Sequence, residues 1–495
     1  MRTDVSRREF LADALAAGAG ATVAGCATAP KDGAAAGPHV PGTGKIPYRV
    51  FWTWDNSMVW GENVPGAQTS GIGNAYTMPA DWFVRGYRRS VDWCAAHGVD
   101  AVGIVGLLRD CHGGIDSARR ICGYAREKGV RVYLISGLYT YGGVYYEGDS
   151  KWSMIRFFRE HPECVGRQSD GQPLQYCQKG HHGDVRDVVG CPSSDLLNRY
   201  ILDSLEWVFK AIPELGGIQM ETGDTRVCWC DRCRERRGDK AIEEGMSVED
   251  MMAMYPAAVD AVRAASPDAW IMCETYHHFN DEPCRAFSDP AAHAESLAKI
   301  AAMPKDVFWQ WKCDRQLFDG TWKFGDRLPQ ALAGFRHMMR AHSGTQWWGG
   351  RGAWAVPLVR QQCRLSYGSG ICGVSLFGEV SPYAANAEFN YLALRYFADN
   401  PLATVREFGR DVMAPLLGGD DFAEKWIAYA PLQNDTAKVP KAVDDISRFL
   451  PSIRDREALR RWLWLANHLS SYRWNDDRFR DGRKRPAYTN ISPLV

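Results

Sequence analysis

Short runs of apolar residues alternate with longer segments of helical periodicity between residues 46 and 400. Eight runs have the length and the β-branched or aromatic content of buried strands. These predicted strands are residues 48–54, 101–106, 130–136, 216–221, 270–274, 307–311, 345–348 and 373–377. Segments between them have the spacing of an amphipathic helix, and they are residues 80–97, 115–128, 194–211, 247–265, 290–302, 328–341 and 357–367.

This repeated order of strand and helix predicts an α/β fold, a (β/α)8 TIM barrel over residues 46–400. A doubly wound open sheet is the alternative. It is disfavoured because the first strand is followed by Trp54-Asp55-Asn56-Ser57 and not by a glycine-rich nucleotide loop. The long segment from Gly142 to Gly190 would follow strand three as a loop at the catalytic mouth.

The strand pattern stops after Asn400-Pro401. Apolar positions recur at helical spacing in residues 402–475, most clearly in 459–470. Residues 401–495 are therefore predicted to form a small C-terminal helical domain that packs on the barrel.

The N-terminal segment is typical of an export signal. Ser6-Arg7-Arg8-Glu9-Phe10-Leu11 resembles the twin-arginine motif, and Val23-Ala24-Gly25-Cys26 resembles a lipoprotein cleavage box. We expect residues 1–26 to be the signal, Cys26 to be lipidated, and residues 27–45, rich in Ala, Gly and Pro, to form a flexible tether. The expected location is the periplasm or outer membrane of a Gram-negative bacterium.

Charge and composition narrow the classes of partner. The chain has 59 Lys and Arg against 59 Asp and Glu, so its formal net charge is zero. A neutral chain has no broad electrostatic attraction for nucleic acid or for an anionic membrane surface. No later stretch reaches the roughly 18 apolar residues of a membrane helix, so membrane contact is expected through the lipid anchor only. The oligomeric state stays open.

Carboxylates stand where predicted strands end, which in a TIM barrel is the catalytic face. Glu221 and Glu274 close strands four and five, Asp314 follows strand six, and Glu379 follows strand eight. Asp55 and Asp224 are candidates of second rank. Two carboxylates that flank a glycosidic bond supply the acid and the base or nucleophile of its hydrolysis.

Aromatic residues cluster at the same strand ends. Their flat faces suit the C–H surfaces of sugars, whereas carboxylates suit hydroxyl groups, and several of the rings are expected simply to fill the core. The predicted substrate-binding residues are Trp54, Asp55, Asp224, Tyr276, His277, Trp309, Trp311, Asp314 and Trp348.

Three short motifs together resemble a known group of enzymes. Glu221-Thr222-Gly223-Asp224, Cys228-Trp229-Cys230-Asp231-Arg232-Cys233 and Gly190-Cys191-Pro192-Ser193 are similar to segments of barrel glycoside hydrolases related to α-glucuronidases and β-N-acetylhexosaminidases. The resemblance spans residues 46–400. It implies a carbohydrate substrate, no cofactor for catalysis, and Glu221 as the acid that protonates the leaving oxygen.

The resemblance does not identify the second carboxylate. Glu379 is the first choice, with Glu274 and Asp314 as alternatives. Two other functions remain open: a non-catalytic glycan-binding lipoprotein, and a metal-dependent hydrolase or oxidoreductase.

Cys228, Cys230 and Cys233 form a CxCxxC motif. A fourth ligand from Cys191, Cys177, His181 or His182 would complete a tetrahedral structural zinc site. A disulfide with one free thiol is the rival interpretation in an exported protein. Either arrangement would stiffen the loop after strand four.

Overall fold

The computed structural model describes residues 44–55, 58, 60, 79–174, 188–222, 226–238, 246–275, 291, 294–312, 332–342, 352–435 and 437–479. The predicted signal, with Cys26, and nearly all of the predicted tether lie outside these residues.

Eight parallel strands close into a barrel in chain order, which confirms the predicted TIM-barrel fold. Each strand pairs with the next, and β1 pairs with β8 through partners such as Tyr48 with Gly373 and Trp52 with Phe377. The strands are β1 (Tyr48–Trp54), β2 (Ala101–Val105), β3 (Arg131–Gly137), β4 (Gly217–Glu221), β5 (Trp270–Glu274), β6 (Phe308–Lys312), β7 (Arg336–Arg340) and β8 (Gly373–Phe377).

Helices cover the outside of the barrel and continue after it. Those of the barrel region are α1 (Ala80–His97), α2 (Gly114–Glu127), α3 (Met154–Glu160), α4 (Asp195–Ala211), α5 (Asp231–Arg237), α6 (Val248–Ala265), α7 (Ala294–Ala302), α8 (Val356–Gly368) and α9 (Ala385–Asp399). Several ends follow from local chemistry: Gly98 stops α1 with a left-handed φ of 68°, and Ser247 caps α6 by accepting a hydrogen bond from the Asp250 amide.

The predicted position of strand seven is wrong, and so is the helix predicted over residues 328–341. Strand seven is Arg336–Arg340, inside the segment 328–341 that the periodicity assigned to a helix. The predicted strand 345–348 lies outside the described residues. Met and Arg favour helices in isolation, but here pairing with β6 and β8 overrides that local preference.

Alternate residues of each strand face the inside and the outside of the barrel. The interior positions of β1 are Tyr48, Val50, Trp52 and Trp54, and all four belong to one inner cluster. At the amino end of the strands Tyr48 packs edge to face on Trp270 and on Phe308, and the Trp270 and Phe308 rings are tilted by 46°, with ring centroids 4.9 to 5.4 Å apart. These three rings fill the barrel at the amino ends of its strands.

Buried Arg49 links the first barrel strand, β1, to Asp100 just before β2 and to Asp399 at the end of α9. The Arg49 backbone amide donates to Asp100 Oδ2 at 2.7 Å, while its guanidinium contacts Asp100 and donates to Asp399 Oδ1 at 3.1 Å. Asp399 is the last residue of α9. The link ties β1 to β2 and to the helix that follows β8.

Helices continue after residue 400, as predicted. They are α10 (Val405–Phe408), α11 (Ala414–Leu417), α12 (Asp420–Tyr429), α13 (Val439–Phe449) and α14 (Arg456–Phe479), with a π-helical turn at Gly409–Met413. Arg461 of α14 contacts both oxygens of Glu388 on α9 at 2.7 and 2.8 Å. Among the described helices, none combines the length and the apolar character needed to cross a bilayer.

Candidate functional site

Glu221, Glu274 and Arg340 form a compact cluster inside the barrel, at the carboxyl ends of its strands. Arg340 Nη1 donates to Glu274 Oε1 at 2.6 Å and lies 3.4 Å from Glu221 Oε1. The second oxygen of each carboxyl group also accepts a hydrogen bond, from Gln219 Nε2 to Glu221 and from the Thr222 amide to Glu274, both at 2.9 Å. The strand ends of β4, β5 and β7 therefore converge on one guanidinium.

The two carboxyl groups lie within hydrogen-bond reach of each other. Burial, followed by the charge of Glu221, raises the pKa of Glu274 well above its ordinary value, and the hydrogen bond between the two side chains acts in the same direction; Arg340 opposes them. With Glu274 protonated, the cluster holds one carboxylate and one guanidinium and is electrically neutral. A neutral cluster is the arrangement that a buried site tolerates best.

Arg340 also contacts the aromatic lining of the barrel. Its guanidinium lies over the Trp52 ring, 4.1 Å from the centroid, and Nη2 donates to His342 Nε2 at 3.2 Å. Sequence reasoning missed Arg340 because it fell within the predicted helix 328–341. The alternation of Arg336, Met338 and Arg340 on one face is the signal that could have found it.

A second charged cluster lies at the ends of β1 and β2. Arg109 binds both oxygens of Asp55, with Nε to Oδ2 at 2.6 Å and Nη2 to Oδ1 at 3.1 Å. His112 Nε2 lies 3.2 Å from Asp55 Oδ2 and 3.0 Å from the Gly106 carbonyl, so this nitrogen carries the proton. Burial alone would raise the pKa of Asp55, but Arg109 and His112 outweigh it and lower the pKa.

Gly106 makes room for this second cluster. Its φ is 79°, and a Cβ at this position would lie 2.5 Å from the Asp55 carboxyl carbon. A larger residue would meet both a left-handed backbone and the carboxyl group. Asp55 is therefore held in place from three sides, and its predicted substrate contact stays a prediction.

Glu379 lies on the other side of the barrel from Glu221. It follows β8, and β8 and β4 are four strands apart in the closed ring of eight. The Trp54 amide donates to Glu379 Oε1 at 2.6 Å, and the side chain is fully buried. Glu379, the first choice for the second carboxylate of the predicted pair, thus lies after the end of β8 at the mouth of the barrel, next to Trp54.

Aromatic side chains line the mouth between these clusters. Trp54 lies 6.0 Å from Tyr141 and 6.3 Å from Tyr146, centroid to centroid, and Trp52 lies 5.3 Å from Phe377. Tyr141 has a left-handed φ of 52°, unlike any other non-glycine residue that the structure describes. Such strain costs about 1–3 kcal/mol and is concentrated at functional sites.

Several buried polar atoms inside the barrel make no hydrogen bond to another described residue. They belong to interior-facing positions around the carboxyl cluster, and they are Trp52 Nε1, Tyr133 Oη, Gln219 Oε1, Gln310 Nε2 and Oε1, and Ser375 Oγ. A buried polar atom without a partner costs free energy. These donors and acceptors suit a ligand rich in hydroxyl groups or ordered water.

The predicted substrate contacts of Trp309 and Trp311 need correction. Both side chains are fully buried in the core between barrel and helices, where Trp309 packs near Tyr255 of α6 and Trp311 Nε1 donates to His337 Nδ1 at 3.2 Å. Phe308 is the β6 ring that belongs to the inner cluster. The prediction placed Trp309 and Trp311 on the inner face of β6, whereas both lie on its outer face. The remaining candidates lie outside the described residues: Asp224, Tyr276, His277, Asp314 and Trp348.

Four cysteines converge near the carboxyl end of β4. The sulfur atoms of Cys191, Cys228, Cys230 and Cys233 all lie within 4.8 Å of one another. Cys191 precedes α4, whereas the other three belong to the segment that leads from β4 into α5. Four residues were considered from the sequence as the fourth ligand. Cys191 lies beside the three cysteines of the motif, whereas Cys177, His181 and His182 lie outside the described residues.

No protein-family model matches the chain, and no curated protein sequence matches it. Solved structures that align with it include glycoside hydrolases. One is a GH138 enzyme targeting pectin rhamnogalacturonan II, at 10% identity and a TM-score of 0.49, with 87% of this chain and 57% of that chain covered. Another is a mutant O-GlcNAc hydrolase of Thermobaculum terrenum, at 9% identity and a TM-score of 0.45, covering 90% and 87%.

A GH20 exo-β-N-acetylglucosaminidase from Vibrio harveyi, in an inactive mutant form, aligns at 11% identity with a TM-score of 0.39, covering 71% of this chain and 54% of that one. This chain thus spans little more than half of the GH138 and GH20 proteins.

Proposed function

We propose that the protein is a glycoside hydrolase and that Glu221 is its general acid. The observation that supports this is the close pair of Glu221 and Glu274 at the mouth of the barrel, in which burial and the charge of Glu221 raise the pKa of Glu274. A general acid must hold a proton near neutral pH, and a carboxyl group does so when burial or a neighbouring carboxylate raises its pKa. The pair meets this requirement.

Glu221 is the member of the pair that faces the substrate in this proposal. Glu274 is fully buried, and its two oxygens accept hydrogen bonds from Arg340 and the Thr222 amide. Glu221 keeps 5% of its surface exposed. In the proposed mechanism the proton comes from Glu274, whose pKa is raised, and passes along the hydrogen bond between the two side chains through Glu221 to the leaving oxygen.

Glu379 serves as the ionised carboxylate. It lies across the barrel from Glu221, and the Trp54 amide supplies a hydrogen bond that favours the charged form. A sugar bound between the two would lie against Trp52, Trp54 and Tyr141. The interior polar atoms that have no hydrogen-bond partner among the described residues would bind its hydroxyl groups. Polysaccharide ends or oligosaccharides are the proposed substrates.

A matched set of variants tests the assignment on a panel of natural and aryl glycosides. Glu221→Gln should lower the rate on natural glycosides by about 10²–10⁴-fold and should lower it less on activated aryl glycosides, whose leaving group needs no proton. Glu379→Gln should impair both classes. Glu214→Gln, at the amino end of β4 where Glu214 contacts Arg126 at 3.7 Å, is the control and should keep full activity. Full activity of Glu221→Gln on a natural substrate would reject the acid assignment.

One observation favours the alternative of a glycan-binding protein without activity. Each candidate carboxylate in the described part of the chain has a protein partner: Arg340 for the Glu221 pair, Arg109 for Asp55 and the Trp54 amide for Glu379. Titration calorimetry with oligosaccharides separates the two functions. Tight binding without turnover by the wild-type protein would support the binding function and overturn hydrolysis.

We further propose that the protein is exported and anchored through a lipid on Cys26. The order of the twin-arginine motif and the cleavage box supports this location. Mass spectrometry of the membrane fraction should find a mature N-terminus at Cys26 with an acyl modification. An uncleaved, unmodified chain in the soluble fraction would refute the anchor.

A further inference from the structure

We propose that Cys191, Cys228, Cys230 and Cys233 bind one structural zinc ion. Cys191 Sγ lies 3.6 Å from Cys228 Sγ, 3.6 Å from Cys230 Sγ and 3.7 Å from Cys233 Sγ. Zinc binds thiolate sulfur at about 2.3 Å in tetrahedral geometry, which places neighbouring sulfurs about 3.8 Å apart. The measured separations match this value, and they are far from the roughly 2.05 Å of a disulfide bond.

The surroundings of the sulfur atoms suit thiolates. The Arg167 amide donates to Cys228 Sγ at 3.3 Å, and Arg236 Nη2 donates to Cys233 Sγ at 3.4 Å. Ser193 Oγ lies 3.0 Å from Cys233 Sγ, within reach to donate as well. Hydrogen bonds of this kind orient metal ligands and spread their negative charge.

Two arginine side chains offset part of the negative charge of the proposed centre. Binding releases four thiol protons, and four thiolates with one Zn²⁺ carry a net charge of −2; no electron is transferred. The Arg236 guanidinium contacts Cys233 directly, and the buried Arg237 donates to the Cys228 carbonyl at 3.0 Å. Both arginines also contact the buried Asp250. Two guanidinium groups therefore stand beside the proposed anionic centre.

The proposed zinc ion joins two segments that flank the catalytic end of β4. Cys191 stands just before α4, and Asn198 Nδ2 on that helix donates to the Pro192 carbonyl at 3.0 Å. Cys228 follows Glu221 by seven positions, and its neighbour Trp229 donates through its amide to the Arg167 carbonyl at 2.7 Å. The ion has four protein ligands and no open position, so it fixes the segment after Glu221 and takes no part in the reaction.

Metal analysis of the purified protein, together with thiol variants, tests the site independently of any activity. Wild type and the control Cys111→Ser, which alters an exposed cysteine outside the cluster, should each contain one zinc per chain. Cys191→Ser and Cys230→Ser should lose the zinc and melt at a lower temperature, as should wild type treated with a strong chelator. X-ray absorption on wild type should show four sulfur neighbours at about 2.3 Å, a result that does not require any variant to fold.

Three outcomes would overturn the proposal. They are a metal-free protein with four thiols that react with maleimide, an intact mass lowered by two hydrogens for each disulfide formed among these cysteines, and one iron per chain in place of zinc. None of them bears on the Glu221 assignment, because zinc content is measured without a substrate.

Discussion

Replacing Arg340 by methionine removes the only positive charge that the described structure places between Glu221 and Glu274, while it keeps an unbranched side chain that can fill much of the same space. The guanidinium donates to Glu274 at 2.6 Å and lies 3.4 Å from Glu221. Loss of one partner from a buried ion pair costs about 3–5 kcal/mol of folding free energy. We expect a loss of that size for Arg340→Met at pH 7.

The change of this stability loss with pH should test the description of the cluster more sharply than the size of the loss at pH 7. Burial and the neighbouring Glu221 already raise the pKa of Glu274 in the wild type, so its stabilisation is complete below the pKa of an unfolded glutamate and disappears as the pH rises through the folded pKa. Without Arg340 the native cluster must take up a second proton to stay neutral. Each extra bound proton adds a slope of about −1.4 kcal/mol per pH unit.

Urea unfolding followed by tryptophan fluorescence at pH 5, 6, 7 and 8 measures both quantities. The gap between wild type and Arg340→Met should widen by about 1.4 kcal/mol for each pH unit. Arg336→Met is the matched control, because Arg336 occupies the same face of β7 and contacts the rings of Tyr48 and Phe308. It should lose about 0.5–2 kcal/mol at every pH.

Arg340→Lys keeps the charge and should recover part of the stability, which covers the case in which Arg340→Met fails to fold. A gap that does not change with pH, or a loss no larger than that of Arg336→Met, would refute the description of the cluster as a neutral group in which Arg340 balances one carboxylate.

Two further predictions concern the second charged cluster. Gly106→Ala should destabilise the protein by about 1–3 kcal/mol more than Gly370→Ala, because both glycines have a left-handed φ but only Gly106 faces a carboxyl group where a Cβ would stand; thermal melts measure the difference, and equal losses would contradict it. Asp55→Asn should destabilise at neutral pH and converge with wild type in acid. The pKa of Asp55 is lowered, so its stabilisation is present above the unfolded pKa and disappears as the pH falls through the folded pKa; melts across the acid range check this, and a constant gap would count against it.

Most of the barrel could be predicted from sequence because seven of its strands are short apolar runs between helices with clear periodicity. The exception, β7, consists of Arg-His-Met-Met-Arg, which contains no β-branched residue and whose Met and Arg residues favour helices in isolation. Its extended form depends on hydrogen bonds to β6 and β8, which local propensity cannot reveal. Arg340 was not among the predicted site residues because β7 was predicted to be a helix.

The sequence also failed to show which side chains of β6 face the inside of the barrel, for a different reason. Barrel strands are buried on both faces, so the sequence Phe-Trp-Gln-Trp-Lys shows alternation without showing which face is inside. The two tryptophans face the helices, and Gln310 faces the interior. The strand-end positions of Glu221 and Glu274 were predictable because a terminal carboxylate marks the end of an apolar run. The raised pKa of Glu274 was not predictable, because it depends on burial and on the distance between the two carboxyl groups, which only the fold sets.

The pairing of β1 with β8 has a consequence for biosynthesis. Arg49 and its partner Asp399 are 350 residues apart, and at about 5–20 residues per second the ribosome needs roughly 20–70 s to make the intervening chain. During that time the strand Tyr-Arg-Val-Phe-Trp-Thr-Trp has an edge that nothing yet covers. Such an apolar edge is a template for wrong pairing. A nascent chain that leaves the ribosome slowly is therefore exposed to aggregation until its last barrel helix emerges, and a holding chaperone that shields the first strand should raise the yield of native protein more than one that acts after release.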